Sequence, residues 1–147
     1  MNYNLVDILL VEDNADDAEL TIRELNKHNM ATNLFHVKDG EEALEFIFCT
    51  GKFEGKRSIE YLPKLMLLDI QMPKINGIEV LEKVKGDKRT QTIPIVVLTS
   101  SNESPDITKC YHLGANSYIV KPVNFDGFTQ AIKNIGLYWI QLNQRLA

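Results

Sequence analysis

Apolar runs and amphipathic stretches alternate along the chain. The run Val6 to Val11 is the first strand candidate. Ala15, Ala18, Ile22 and Leu25 then recur at spacings of three and four, which predicts a helix with those residues on one face. "NLFHV" (33–37) predicts a short strand, and "DGEEALEFIFC" (39–49) opens on a turn signal and continues as a helix. The stretch 50–63, "TGKFEGKRSIEYLP", carries two glycines, several charges and a closing proline, and predicts an exposed loop of unusual length. "KLMLLDI" (64–70) is strongly apolar again; after "QMPKING", Ile78, Leu81 and Val84 form the inward stripe of a further helix. "IPIVVLTS" (93–100) predicts the fourth strand, with Pro94 at its start, where a missing N–H costs least. "SPDITKCYHLG" (104–114) reads as a short helix stopped by Gly114, and "NSYIV" (116–120) as the fifth strand. Phe125, Phe128, Ile132, Ile135, Trp139 and Leu142 mark one long last helix.

Five strands thus alternate with five helices. The strand candidates are continuously apolar, so both of their faces must be covered. That predicts an α/β fold, a doubly wound parallel sheet with helices on both sides. Ligands of such sheets sit beyond the carboxyl ends of the strands, where the strand order reverses.

The residues at those ends carry the candidate chemistry. Strand one ends in Glu12 and Asp13, strand three in Asp69, strand four in Thr99 and Ser100, and strand five in Lys121. Strand two contributes only Asp39, in a turn. With strands one and three as neighbours, Glu12, Asp13 and Asp69 meet in one cleft. Three carboxylates in contact repel and raise one another's pKa, and a divalent cation removes that cost. Mg²⁺ suits such a site, because it takes hard oxygen ligands together with water and phosphate oxygens. An aspartate beside Mg²⁺ can attack phosphorus, with Lys121 and Thr99 placed to hold phosphoryl oxygens. Each residue alone has a plainer explanation as a turn or helix cap. Their joint appearance on one edge does not.

Composition narrows the picture. The length of 147 residues and 44% hydrophobic content fit one domain with a substantial core. A net charge of −4 disfavours a broad grip on nucleic acid. No run approaches a membrane span and the N-terminus lacks a signal-peptide pattern, so a cytoplasmic protein is expected. Cys49 and Cys110 are far apart and read as reduced thiols; His28, His36 and His112 are scattered and read as surface or packing residues.

"ILLVEDN", "LLLDIQMPKINGIEVL", "IVVLTS" and "YIVKP" together resemble the successive blocks of the response-regulator receiver domain, in order and with suitable spacing, over residues 6 to about 136. The resemblance implies a flavodoxin-like fold with strand order 2-1-3-4-5. It implies that Asp69 is the phosphoacceptor, that Asp13, Asp69 and the backbone carbonyl of Gln71 bind Mg²⁺, and that Glu12 acts through a metal-bound water. Thr99 and Lys121 match the family's hydroxyl and lysine, and Tyr118 its aromatic switch position. The Lys121–Pro122 peptide is expected to be cis. Such a protein is a phosphoacceptor that assists its own phosphorylation and dephosphorylation, rather than an enzyme acting on a separate substrate. The long 50–63 loop, Tyr138-Trp139 and the lack of an output domain most resemble small single-domain regulators paired with phytochrome-type histidine kinases. Gln71 and Ser101 fall where the family tunes phosphoryl lifetime.

The expected organisation is one receiver domain over 1–147, with its core at 6–136 and a helical extension at 137–147. Eleven residues after 136 leave no room for a helix-turn-helix, so output is expected through protein contacts, without direct DNA binding. "IGLYWIQL" (135–142) carries more apolar surface than one buried face needs, which points to a homodimer through the last helix region. An aspartate-nucleophile phosphatase would need a second acid two residues after Asp69, where Gln71 stands. A nucleotide or flavin module would want glycines or hydroxyls where "EDNADD" supplies acid. A phosphorylation-independent module of this fold would be expected to lack one of the site residues, and all are present.

Overall fold

The computed structural model describes residues 1–145. Strands β1 (Ile8–Val11), β2 (Leu34–Val37), β3 (Leu65–Leu68), β4 (Ile95–Thr99) and β5 (Ser117–Val120) alternate with helices α1 (Ala15–Lys27), α2 (Gly40–Phe48), α3 (Gly77–Lys85), α4 (Ser104–His112) and α5 (Phe125–Gly136). All strand pairs are parallel and the order is β2-β1-β3-β4-β5, as the resemblance implied.

The continuous apolar runs are explained by two cores. Side chains alternate across a strand, so Leu9, Val11, Met66 and Leu68 enter the layer with Phe46, Val80 and Leu81, while Ile8, Leu10, Leu65 and Leu67 enter the layer with Ala18, Phe128 and Ile132. Each such side chain contributes about 1.5–3 kcal/mol relative to exposure. Four helices start on side-chain caps at the carboxyl edge of the sheet: Asn14, Asp39, Asn76 and Asn124 accept the N–H of Asp17, Glu42, Glu79 and Gly127.

Several expectations need correction. The 50–63 stretch is not simply exposed. A 3₁₀ turn at Gly51–Phe53 buries Phe53 against Tyr3, Phe35 and Phe46. Buried Arg57 stacks over Phe46 and donates to the carbonyls of Phe46, Ile47 and Tyr61 at 2.6, 3.0 and 2.8 Å. It thereby adds donors to carbonyls at the end of α2, where the helix runs out of N–H partners. On α1 the buried face is Ala18, Thr21, Glu24 and Leu25, whereas Ala15 is exposed and Ile22 half-buried. Thr21 tolerates burial because its hydroxyl donates to the Asp17 carbonyl at 2.7 Å. The last helix is not uniform: α5 passes into a π-helical segment, Leu137–Leu142, whose wider turns break the three-four repeat. Trp139 and Ile140 still pack on the α1–α5 core, but Tyr138 and Leu142 face outward, as does Phe125 at the start of α5. Residues 146 and 147 of the expected extension lie outside the described residues. No cis peptide bond occurs among the described residues, so Lys121–Pro122 is trans. That is the ordinary preference of an X–Pro bond, by about 0.5–1 kcal/mol. Cys110 is buried in the core, and burial pushes its thiol up to about 11.

Candidate functional site

The sheet's own hydrogen-bond ladder assembles the site. β1 pairs Val11 with Leu68, so the next residues, Glu12 and Asp69, leave adjacent strands side by side. The Asp69 N–H donates to the Val11 carbonyl and the Glu12 N–H to that of Val37, both at 3.1 Å. Thr99 pairs with Val120, and the Lys121 N–H donates to the Thr99 carbonyl at 2.7 Å. His36 on β2 steadies this edge through a 2.7 Å bond from Nε2 to the Glu12 carbonyl. α3 closes on it as well: a Cβ at Gly77 would stand 2.3 Å from the Asp69 carbonyl oxygen, so only glycine permits this approach.

Carboxylate oxygens of Glu12, Asp13 and Asp69 lie within 4.8 Å of one another. Glu12 and Asp69 are buried and Asp13 is exposed, so the cluster opens to solvent through Asp13. Lys121 Nζ reaches Glu12 Oε1 at 2.7 Å and Asp69 Oδ2 at 3.1 Å. Asp69 Oδ1 accepts the Gln71 N–H at 3.0 Å, and the Gln71 side chain accepts a hydrogen bond from Ser100 at 2.6 Å. Thr99 is fully buried, its Oγ1 accepting the Ser101 N–H at 3.5 Å. Tyr118 is half-buried, and its hydroxyl donates to the Ser101 carbonyl at 2.9 Å.

One residue of this cluster escaped the sequence reading. Asp17 Oδ2 lies 2.9 Å from Lys121 Nζ. The available signal was its position four residues after Asp13: the first turn of a helix that starts at the carboxyl edge overhangs that edge.

The electrostatics follow from burial. Desolvation raises the Glu12 carboxyl to about 7; Lys121 opposes the rise, and the charge of Asp69 adds to it. Burial alone would pull the Lys121 ammonium down, but hydrogen bonds to Asp17 and Glu12, with the charges of Glu12 and Asp69, outweigh it and hold the group above its ordinary value. Three carboxylates, Glu12, Asp17 and Asp69, thus face one ammonium, and a fourth, Asp13, stands beside Glu12 and Asp69. Hard oxygen donors in excess negative charge, converging beside an exposed carboxylate, fit a divalent cation.

The chain is similar to known proteins of one family. The family model for the response regulator receiver domain matches residues 8–133. The chain is 36% identical over 137 residues to the probable methanogenesis regulatory protein FilR2 of Methanothrix harundinacea, covering 93% of this chain and 85% of that one. It is 33% identical over 134 residues to response regulator Rcp1 of Synechocystis, covering 91% and 88%. The crystal structure of the Mn²⁺-bound form of Rcp1 superposes with a TM-score of 0.88 at 32% identity, over 95% of this chain and 98% of that one. The phosphorylated cyanobacterial phytochrome response regulator RcpA superposes with a TM-score of 0.86 at 34% identity, over 95% and 97%. The chain belongs to the response regulator receiver domain family and so to two-component signal transduction. Among the described residues, no helix is long and apolar enough to cross a membrane.

Proposed function

We propose that this protein accepts a phosphoryl group on Asp69 from a histidine kinase and signals through an altered protein-binding surface. The observation that carries it is the convergence of Asp69 with Glu12, Asp13 and Lys121 at one sheet edge. Asp13, Asp69 and the Gln71 carbonyl would hold Mg²⁺, with Glu12 acting through a bound water. The ion, when bound, would screen the charge of the incoming phosphoryl group.

A carboxylate oxygen of Asp69 attacks phosphorus, the P–N bond of the partner's phosphohistidine breaks, and the phosphoryl group remains on Asp69. Lys121 donates an N–H to one phosphoryl oxygen and Thr99 its hydroxyl to another. Movement of Thr99 alters the packing beside Ser101, to whose carbonyl Tyr118 is tied, and so reaches the surface of α4, β5 and α5. Phosphorylation shifts the population only through such differential contacts. Exposed Val123 and Phe125, which follow Lys121, suit an apolar partner surface near the site. The description of RcpA as a phytochrome response regulator favours a phytochrome-type kinase as the donor. The acidic net charge speaks against direct DNA binding.

The test is incubation with acetyl phosphate and Mg²⁺ followed by intact-mass measurement. The wild type gains one phosphoryl group; Asp69→Asn gains none, and chelation of Mg²⁺ suppresses the gain. Labelling of Asp69→Asn equal to wild type would refute the assignment.

A further inference from the structure

We infer that Asp17 is a positioning residue for Lys121: its carboxylate holds the ammonium before phosphorylation and releases it to the phosphoryl group. This rests on the proposal that Asp69 is the phosphoacceptor. An ammonium has three N–H donors. Here three carboxylates surround it: Glu12 at 2.7 Å, Asp17 at 2.9 Å and Asp69 at 3.1 Å. No donor is left over for a phosphoryl oxygen, so one of these partners must let go.

Asp17 differs from the other two in ways that make it that partner. Its side chain is 29% exposed, against 4% for Glu12 and 7% for Asp69, so water can replace the lost bond. It lies outside the cluster of Glu12, Asp13 and Asp69 that suits a cation. Its backbone is pinned at both ends, the N–H by Asn14 at 2.9 Å and the carbonyl by Thr21 at 2.7 Å, which leaves the carboxylate as the part that moves. A first-turn aspartate is well satisfied at its own helix N-terminus. This one instead reaches a residue 104 positions away.

Two opposite effects follow. By sharing Lys121 with Glu12 and Asp69, Asp17 takes part of the ammonium's charge and leaves more of theirs for a cation. Its charge also favours the cation directly. The same charge, and the same hold on Lys121, oppose an arriving phosphoryl dianion. Replacing Asp17 with asparagine therefore weakens cation binding and strengthens phosphoryl binding, whereas a general loosening of the fold weakens both.

The experiment measures binding to the full chain. Mg²⁺ affinity is measured by calorimetry, and affinity for beryllofluoride, a phosphoryl mimic, by ¹⁹F NMR at saturating Mg²⁺. For Asp17→Asn, the Mg²⁺ dissociation constant rises and the beryllofluoride constant falls, each by about three- to fivefold, as suits one partly exposed charge. Asp17→Glu restores both toward wild type. Changes in the same direction, or none, in Asp17→Asn would overturn the inference. A wild type that takes no beryllofluoride would instead overturn the phosphoacceptor proposal itself, which separates the two failures.

Discussion

Lys121 Nζ lies 3.1 Å from Asp69 Oδ2, although 52 residues separate the two along the chain. They meet because β3, β4 and β5 are neighbours in one parallel sheet, and each residue stands just beyond its strand. The ammonium offsets a carboxylate cluster that would otherwise repel itself.

Lys121→Met removes that offset. The buried carboxylates of Glu12 and Asp69 lose their cation, which costs about 3 kcal/mol of folding stability without divalent metal. Mg²⁺ recovers part of the loss, and binds the variant more tightly than wild type because its competitor is gone. Labelling by acetyl phosphate falls. Denaturant unfolding with and without Mg²⁺, alongside intact-mass labelling, checks all three outcomes.

Glu12 gives the stability a definite pH dependence. Its carboxyl rises to about 7 in the folded protein, chiefly through burial, from a reference value of 4.5. Between these values the folded state holds a proton that the unfolded state has lost. The stabilisation is fully present below the lower value and disappears as pH rises through the upper, by at most about 1.4 kcal/mol per pH unit. Through Glu12, metal-free protein therefore melts at a lower temperature at pH 7.5 than at pH 5. Added Mg²⁺, which replaces the proton as the compensating charge, raises the melting temperature more at the higher pH. Thermal melts across this window, compared with Glu12→Gln, isolate the contribution.

Gly77 is tied to the site by shape rather than by charge. Its φ is not positive, so conformational freedom is not the reason for glycine here. A methyl group would stand 2.3 Å from the Asp69 carbonyl oxygen and 2.6 Å from the Ile70 Cα. Those are backbone atoms and cannot swing aside. Gly77→Ala should cost about 1–3 kcal/mol, the usual range for overpacking. It should also weaken Mg²⁺ binding more than Val84→Ala, a core change on the same helix away from the edge. Calorimetric Mg²⁺ titration of both variants makes the comparison.

What the sequence revealed and what it hid have physical causes. Strand position was legible because strands covered on both faces are apolar throughout, and the carboxylates at their ends interrupt that pattern conspicuously; the strand order came from the resemblance to the receiver family, since apolar runs do not say which strands are neighbours. Phe53 was hidden because a single aromatic residue among charges and glycines carries no periodicity; its burial depends on Tyr3, Phe35 and Phe46, drawn from three other segments. Arg57 was hidden for the same reason, since a buried arginine served by helix-end carbonyls has no partner that spacing could reveal. Asp17 looked like an ordinary first-turn acid, because the distance from α1 to Lys121 exists only once the sheet has formed. The phase of the last helix failed at Leu142 because a π-helical turn advances by more residues than the repeat assumes.

That phase change bears on the homodimer expected from the apolar residues of the last helix region. Trp139 packs on the α1–α5 core, so Trp139→Ala would lower stability whether or not the protein dimerises. Tyr138 and Leu142 are the better probes, being 50% and 74% exposed. Tyr138 also lines a groove between β5 and α5 in which Ile119 and Ala131 alternate with Asn116, Ser117 and Asn134, so a mixed apolar and polar face leads to the π-helical segment. A second copy of this face would cover it symmetrically. Sedimentation should give a dimer for the wild type and a monomer for Leu142→Asp, with the melting temperature of the dilute monomer unchanged within about 2 °C, as expected for an exposed position. If both proteins sediment as monomers, the face has another partner and the expected homodimer is wrong.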